Sequence, residues 1–439
     1  MTTAVAPRRS AAAPGRADAL SSGDVRYPTH RLARWRATQV AIAVAIVALP
    51  LLRPSGPGNT GLVDLALVGA MFACALWAST GSHRPHLPYA LPVGLTVAAG
   101  AMALLVNDVH LRQGLIALAQ DVFVFAWAAA VATVGRERRM LDTLCRVWAY
   151  SAVGWAAVLI VADVAGITWL SGISSVDGIR ASFTLGDPNL AANYFLCGLL
   201  VMRACRRPRR AGWRWLACAV VVTAVVLTLS NGGMLALLVA TVFGALLRLV
   251  RLGNVAVAVV LGTVLATGGA VAVLTVDVRG IVTRAEESSP LVRDSIGREA
   301  ESSGSRAILL GEGVRLWLRG DTTLWGIGPA NTATVLRATQ SPYVKEAHDD
   351  YVATVLERGV VGAVALLLLV AGVAVRGRRI VARGGIAPSH VDVVPRPELL
   401  VAALAAIAVS AMFYEVLHFR HVWALLGLVA ALELSGRRR

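Results

Sequence analysis

The chain is 439 residues long, 56% hydrophobic and only 15% charged, with a mean hydropathy of +0.66. A soluble domain carries roughly a quarter charged residues, so a water-soluble enzyme is excluded and an all-α polytopic membrane protein is expected. The formal net charge of +16 invites a nucleic-acid reading, but no basic patch is interleaved with stacking aromatics as single-strand binding requires, and nucleic acid is not an expected partner.

Residues 1–36 are rich in Ala, Arg, Pro and Ser without hydrophobic periodicity, a composition that buries too little apolar surface to order itself. They are read as a disordered basic cytoplasmic tail. The rest, 37–435, reads as one transmembrane domain. Its apolar segments are long enough for a hydrocarbon core of about 30 Å, and they predict about twelve spans. These lie near 37–53, 61–79, 88–106, 114–134, 144–166, 188–203, 213–229, 232–250, 254–276, 351–375, 398–415 and 420–435. No small-residue cleavage signal follows the first span, which therefore reads as an uncleaved signal anchor. With the N-terminus inside, the inner connections receive "GRERR" (135–139), "RACRRPRR" (203–210), "RLVR" (248–251), "RGRR" (376–379) and the terminal "RRR". The short outer connections hold little more than Arg53, Arg112, Arg180 and Arg420. That asymmetry predicts cytoplasmic N- and C-termini, a place in the cytoplasmic (inner or plasma) membrane, and contact with anionic lipid. Cys74, Cys145, Cys197, Cys205 and Cys218 lie in spans or on the inner side, without disulfide or zinc spacing.

Three outer features carry candidate chemistry. In "GIRASFTLGDPNLAANYF" (178–195), Asp187 is placed to cap the sixth span with Pro188 at its first helical position. Asn189 and Asn193 lie four residues apart on one helix face; intramembrane amides are interhelical glue or site lining. Arg180 is an anion-ligand candidate or an ordinary rim arginine. In "LTLSNGGML" (227–235), Ser230 and Asn231 sit at a glycine hairpin. The third is an extracytoplasmic loop over 277–350, a length uncommon unless a loop binds, catalyses or is disordered. Within it "SRAILLGEGVRLWLRG" has apolar residues at helical spacing, predicting an amphipathic helix along the membrane surface with Arg306 and Arg315 on its polar side. In "LWGIGPAN" (324–331), Gly326 and Gly328 predict a tight turn with close backbone approach.

The loop closes on "AHDDYVATVLERGVVGAV", where His348, Asp349 and Asp350 precede the tenth span. Outer-face arginines suit a diphosphate, to which a planar guanidinium donates two charge-assisted hydrogen bonds. A histidine titrating near neutrality suits a general base for an attacking hydroxyl. Asp349 or Asp350 orients it, or else complements the helix N-terminus.

These pieces together ("RASFTLGDPNLAANYF", "LSNGG", Ser305-Arg306 leading to "LWGIGPAN", and "AHDDYVATVLERGVVGAV") resemble the O-antigen ligase/polymerase-like family of bacterial membrane glycan transferases. The resemblance covers about 180–370 by motif and the remainder by topology. It implies a GT-C-like fold and transfer of a glycan from an undecaprenyl-diphosphate carrier to an acceptor hydroxyl on the outer membrane face. The acceptor is a glycan, lipid or protein, and the reaction inverts the anomeric centre without a metal or other cofactor. On these positions it implies Arg306 and His348 as the catalytic pair. Arg180, Asn189, Asn231, Arg315, Gly326, Gly328, Asp349 and Arg420 are the expected substrate-binding set.

Two departures stand out. Asn231 occupies the place of the family's hairpin arginine, and Asp349 stands where asparagine is usual. The first removes an expected diphosphate contact that Arg180 or Arg420 would have to replace; the second tends to raise the histidine's pKa. Two other readings stay open: a lipid-linked glycan transporter, for which intramembrane Asp121 would be essential, and an inactive scaffold of a glycan assembly complex.

Overall fold

The computed structural model describes residues 29–53, 60–79, 85–107, 110–173, 180–275, 311–318, 323–338, 349–382 and 384–437. Among them every regular element is helical. The long helices follow the predicted spans in order: α1 (Thr29–Ala48), α2 (Leu62–Ser79), α3 (Ala90–Val106), α4 (Leu111–Val134), α5 (Arg138–Val164) and α6 (Pro188–Ala204). Then come α7 (Ala211–Leu227), α8 (Asn231–Leu252), α9 (Val255–Thr275), α10 (Asp350–Val381), α11 (Glu398–Ser410) and α12 (Arg420–Gly436). By length and composition α2, α4, α5, α8 and α10 are able to cross a membrane, and α3, α7 and α11 are shorter apolar helices. Leu65, Phe72, Leu105, Val164 and Leu367 stand exposed on the outside of the bundle. An apolar exterior of this extent belongs in lipid, and the chain is a multi-pass membrane protein.

Several boundaries differ from the sequence expectation: α5 begins at Arg138 rather than near 144 and α10 runs to Val381 rather than 375, so each takes in arginines expected in connections. The first helix begins at Thr29, inside the stretch expected to be tail. The eleventh ends at Ser410 rather than near 415, where tertiary contacts hold the chain: Asp350 N–H donates to Ala411 O (2.9 Å) and Tyr351 Oη to Ala408 O (2.8 Å).

Nearly all of α6 and α12 is buried, so these two helices form the interior around which the others wrap. In lipid, helices associate through van der Waals packing rather than water exclusion, which favours small residues at crossings. Gly427 of α12 is one such place, because a Cβ there would meet Ala128 O and the Val131 side chain of α4. Other main packing partners are α8 with α11, α3 with α10, and α1 with α2.

Connections gather at two ends. At the arginine-rich end, Arg138 Nε donates to Ser389 O (3.1 Å) and Arg396 N–H to Ala204 O (3.1 Å). At the arginine-poor end, Arg53 reaches Gly186 O (3.1 Å) and Ala181 N–H reaches Leu227 O (3.1 Å).

Candidate functional site

The arginine-poor end holds a polar assembly built from connections distant in sequence. Asp187 takes an extended conformation and its carboxylate accepts from Asn189 N–H (2.6 Å) and Leu190 N–H (3.1 Å), with Pro188 opening α6. This cap fixes the Asn189 side chain one residue into the helix. Its Oδ1 accepts from Arg180 Nη2 (3.2 Å) and from Ser230 Oγ (2.7 Å). Arg180 Nε also donates to Thr228 O (3.3 Å), which ties the 180s segment to the α7–α8 hairpin. Ser230 is fully buried and serves twice, since its Oγ also caps α8 by accepting from Gly233 N–H (3.0 Å). Asn231, the first residue of α8, is exposed beside this set. The sequence groups Arg180, Asn189, Ser230 and Asn231 on one face; the first three are joined by hydrogen bonds and the fourth adjoins them.

Asn193 plays the other role open to an intramembrane amide. It is buried, with Oδ1 2.8 Å from His421 Nε2 of α12, and His421 stacks edge-on against Tyr194 (5.7 Å between ring centroids). This is interhelical glue, while Asn189 faces the polar assembly.

A second assembly surrounds a break in α10. Gly359 has φ 61° and ψ −158°, which interrupts the helix just over one turn past Thr354. A side chain is rarely tolerated at such φ, and a Cβ here would also collide with the Leu324 carbonyl. The break frees backbone groups in an apolar region, where each must find a partner. The "LWGIGPAN" loop supplies them. Ile327 N–H donates to Leu356 O (2.9 Å), Gly328 N–H to Glu357 O (3.0 Å), and Val360 N–H to Thr323 O (3.0 Å). Gly326 (φ 83°) and Gly328 (φ 97°) provide the left-handed turns that let the loop approach. A Cβ at Gly326 would strike the Glu357–Arg358 peptide. The expected close approach is therefore to another protein backbone.

Around this seam the charges pair. Arg358 Nη2 bonds Asp121 Oδ2 of α4 (2.7 Å), both nearly buried. Glu357 Oε1 accepts from Thr332 Oγ1 (2.9 Å). Asp349 caps α10, accepting from Tyr351 N–H (2.8 Å) and Val352 N–H (3.0 Å). This is the helix-end role that the sequence offers for it. Asp350 turns inward and accepts from Val416 N–H (2.7 Å) and Leu417 N–H (3.2 Å), so the α11–α12 connection is stitched to the start of α10. In that connection Tyr414 Oη donates to Asn189 O (3.0 Å), which joins the two assemblies.

His418 Nε2 lies 3.4 Å from Glu415 Oε2. Burial opposes charge on the imidazole, but the hydrogen bond and attraction of Glu415, with Asp121 and Asp350, prevail and raise its pKa to about 9. Asp121, Asp350, Glu357, Arg358, Glu415 and His418 line a cavity of about 50 Å³. Sequence alone does not connect these six groups, because they come from three elements with no spacing rule between them.

Two expected ligands are engaged elsewhere. Arg420 is buried and makes a two-pronged pair with Asp64 of α2 (Nε–Oδ1 3.0 Å, Nη2–Oδ2 2.9 Å). Arg315 is exposed and pairs with Glu312 (2.9 Å). Its short helix packs on the loop and α10, with Leu316 buried against Ile327, Leu336 and Leu356. His348 and Arg306, the expected catalytic pair, lie outside the described residues.

What the arrangement offers chemically is one arginine and an amide–hydroxyl pair at the arginine-poor end, joined through Tyr414 to a braced helix start that follows directly on His348 in sequence. Residues 216–367, from within α7 to within α10, match the family model described as O-antigen ligase. No curated protein matches the chain.

Proposed function

Because this chain belongs, through residues 216–367, to an O-antigen ligase/polymerase-like family, we propose a specific form of its glycan-transfer chemistry. The donor is a glycan on an undecaprenyl diphosphate, used at the arginine-poor end, which faces outward with both termini cytoplasmic. His348 takes the proton from the acceptor hydroxyl as its oxygen attacks the anomeric carbon. The new glycosidic bond forms as the bond from that carbon to the diphosphate oxygen breaks, with inversion and without a metal. Arg306 and Arg180 stabilise the departing diphosphate, whose charge grows in the transition state.

The observation that carries this reading is the position of the matched stretch. It contains Arg306, the Gly326–Gly328 loop, His348 and the Asp349 cap, the same residues that the motif resemblance singles out. Asn189 and Ser230 orient Arg180, and the seam at Gly359 braces the segment that begins one residue after His348. Arg420, held by Asp64, acts in this reading as a helix-to-helix tie.

The test is His348→Ala in the native host, with membrane insertion verified and lipid-linked glycan measured against mature surface glycan. Accumulated lipid-linked donor with lost product is expected; unchanged product sinks the assignment. Asn231→Arg, which restores the family's hairpin arginine beside Arg180, is expected to raise transfer.

A further inference from the structure

At the other end of the bundle an apolar groove of about 550 Å³ runs between α8, α10 and α11. Its walls include Phe243, Leu247, Val370, Ala374 and Leu404, and its mouth carries Arg251 and Arg378. A second hollow of about 420 Å³ shares Arg251 and Ala382 with the groove and continues over the backbone of Gly384, Gly385 and Ile386. An apolar slot that continues into a second hollow holding Asp392, with Arg251 shared by both and Arg378 on the slot, has the form of a lipid: chain, phosphate, headgroup.

The charge at that junction is positive and not internally cancelled. Arg248 and Arg251 share one carboxylate, Glu398 (3.2 and 3.0 Å). Arg378 is exposed and makes no ion pair with any described residue. Asp392, on the wall of the hollow, is faced by Arg138 at 3.8 Å. Basic pockets between membrane helices recognise anionic headgroups, and an arginine meets a phosphate with paired donors.

We propose that the groove and hollow bind one anionic phospholipid from the leaflet at the arginine-rich end. Its phosphate sits between Arg251 and Arg378, and an acyl chain lies along Phe243, Leu247 and Val370. A polyprenyl carrier is not the occupant, because its phosphates belong at the opposite end whereas the groove's cations mark this one.

The purified full chain in neutral detergent is titrated with dioleoyl phosphatidylglycerol or dioleoyl phosphatidylcholine, and retained lipid is counted by native mass spectrometry. Phosphatidylglycerol is expected to be retained in preference. Arg378→Gln should weaken that binding about fivefold, as for one arginine facing an anionic headgroup. Ala374→Phe should remove it by filling the slot. Both positions are exposed, so neither change disturbs packed core. Arg209→Gln, at an exposed arginine outside the groove, should leave binding unchanged. Equal retention of phosphatidylcholine, or unaltered binding in Arg378→Gln and Ala374→Phe, overturns the proposal. Displacement of the phospholipid by undecaprenyl phosphate also overturns it and assigns the groove to the carrier.

Discussion

The two ends of the bundle handle charge in opposite ways. At the arginine-rich end one carboxylate gathers several arginines: Glu433 meets Arg376, Arg379 and Arg437, Glu398 meets Arg248 and Arg251, and Asp142 meets Arg146 and Arg207. Each cluster keeps net positive charge. Toward the arginine-poor end the sharing runs the other way: Asp64 pairs with Arg420 and Glu415 with His418, while the single cation Arg358 meets both Asp121 (2.7 Å) and Glu357 (3.8 Å). A cation left unpaired at membrane depth is expensive, so buried Arg358 and Arg420 each have a carboxylate, while the arginine-rich end retains the positive excess that orients a membrane protein. Asp121, the residue that a transport reading makes essential, is on this pattern a structural counter-ion to Arg358.

The sharpest way to break this contrast is to leave one buried charge alone. Arg358→Ala strands Asp121 and should cost ~3–5 kcal/mol, read as a lower unfolding midpoint in detergent. The double replacement Arg358→Met with Asp121→Leu should recover most of that loss. Equal losses for the single and double variants would show that the pair does not act as a unit.

Next in size is the seam. Gly359→Ala combines a positive φ with a collision against the Leu324 carbonyl. It should destabilise by at least the ~1–3 kcal/mol of a strained backbone position, and limited proteolysis should cut within 323–338 sooner than in the parent. A wild-type cleavage pattern would mean that the loop holds without the break.

Removing the Asp187 cap by Asp187→Ala should cost about 1 kcal/mol, with Asp187→Asn nearly silent in the same thermal unfolding measurement.

The smallest expected effect is that of His418. Its folded-state pKa lies above the ordinary value, so the stabilisation from Glu415 is complete below about 6.5 and lost as pH climbs through about 9. The unfolding midpoint should fall between about pH 6.5 and about pH 9, and His418→Gln should flatten that slope. A slope unchanged in the variant would assign it to another group.

Much of this is legible in the chain because it is local. Apolar length marks every long helix, Asp187-Pro188 announces a helix start, and paired glycines announce a backbone approach. Topology alone draws Arg180, Asn189 and Ser230 together, since all three flank connections on one side. What the chain conceals is tertiary. Arg358 and Asp121 are 237 positions apart, and no spacing rule connects them. The break at Gly359 looks like an ordinary glycine in an apolar run until the 323–331 loop is seen to satisfy its carbonyls. Arg420 reads as a ligand from sequence because its partner Asp64 lies at the far end of the chain; an intramembrane aspartate lacking a local cation is the signal that something distant pairs with it.

The seam at α10 has a mechanical meaning. A continuous helix transmits force along its axis and ignores its neighbours; a broken one pivots. Here the pivot is clasped, because the short segment before Gly359 shares its exposed carbonyls with the glycine loop and anchors the α11–α12 connection through Asp350. Three stretches of chain far apart in sequence are therefore fastened together at the break, with the Arg358–Asp121 pair beside it. The bonds from the glycine loop reach the same short helical segment that Asp349 caps, so the strength of that clasp sets how firmly the start of α10 is held.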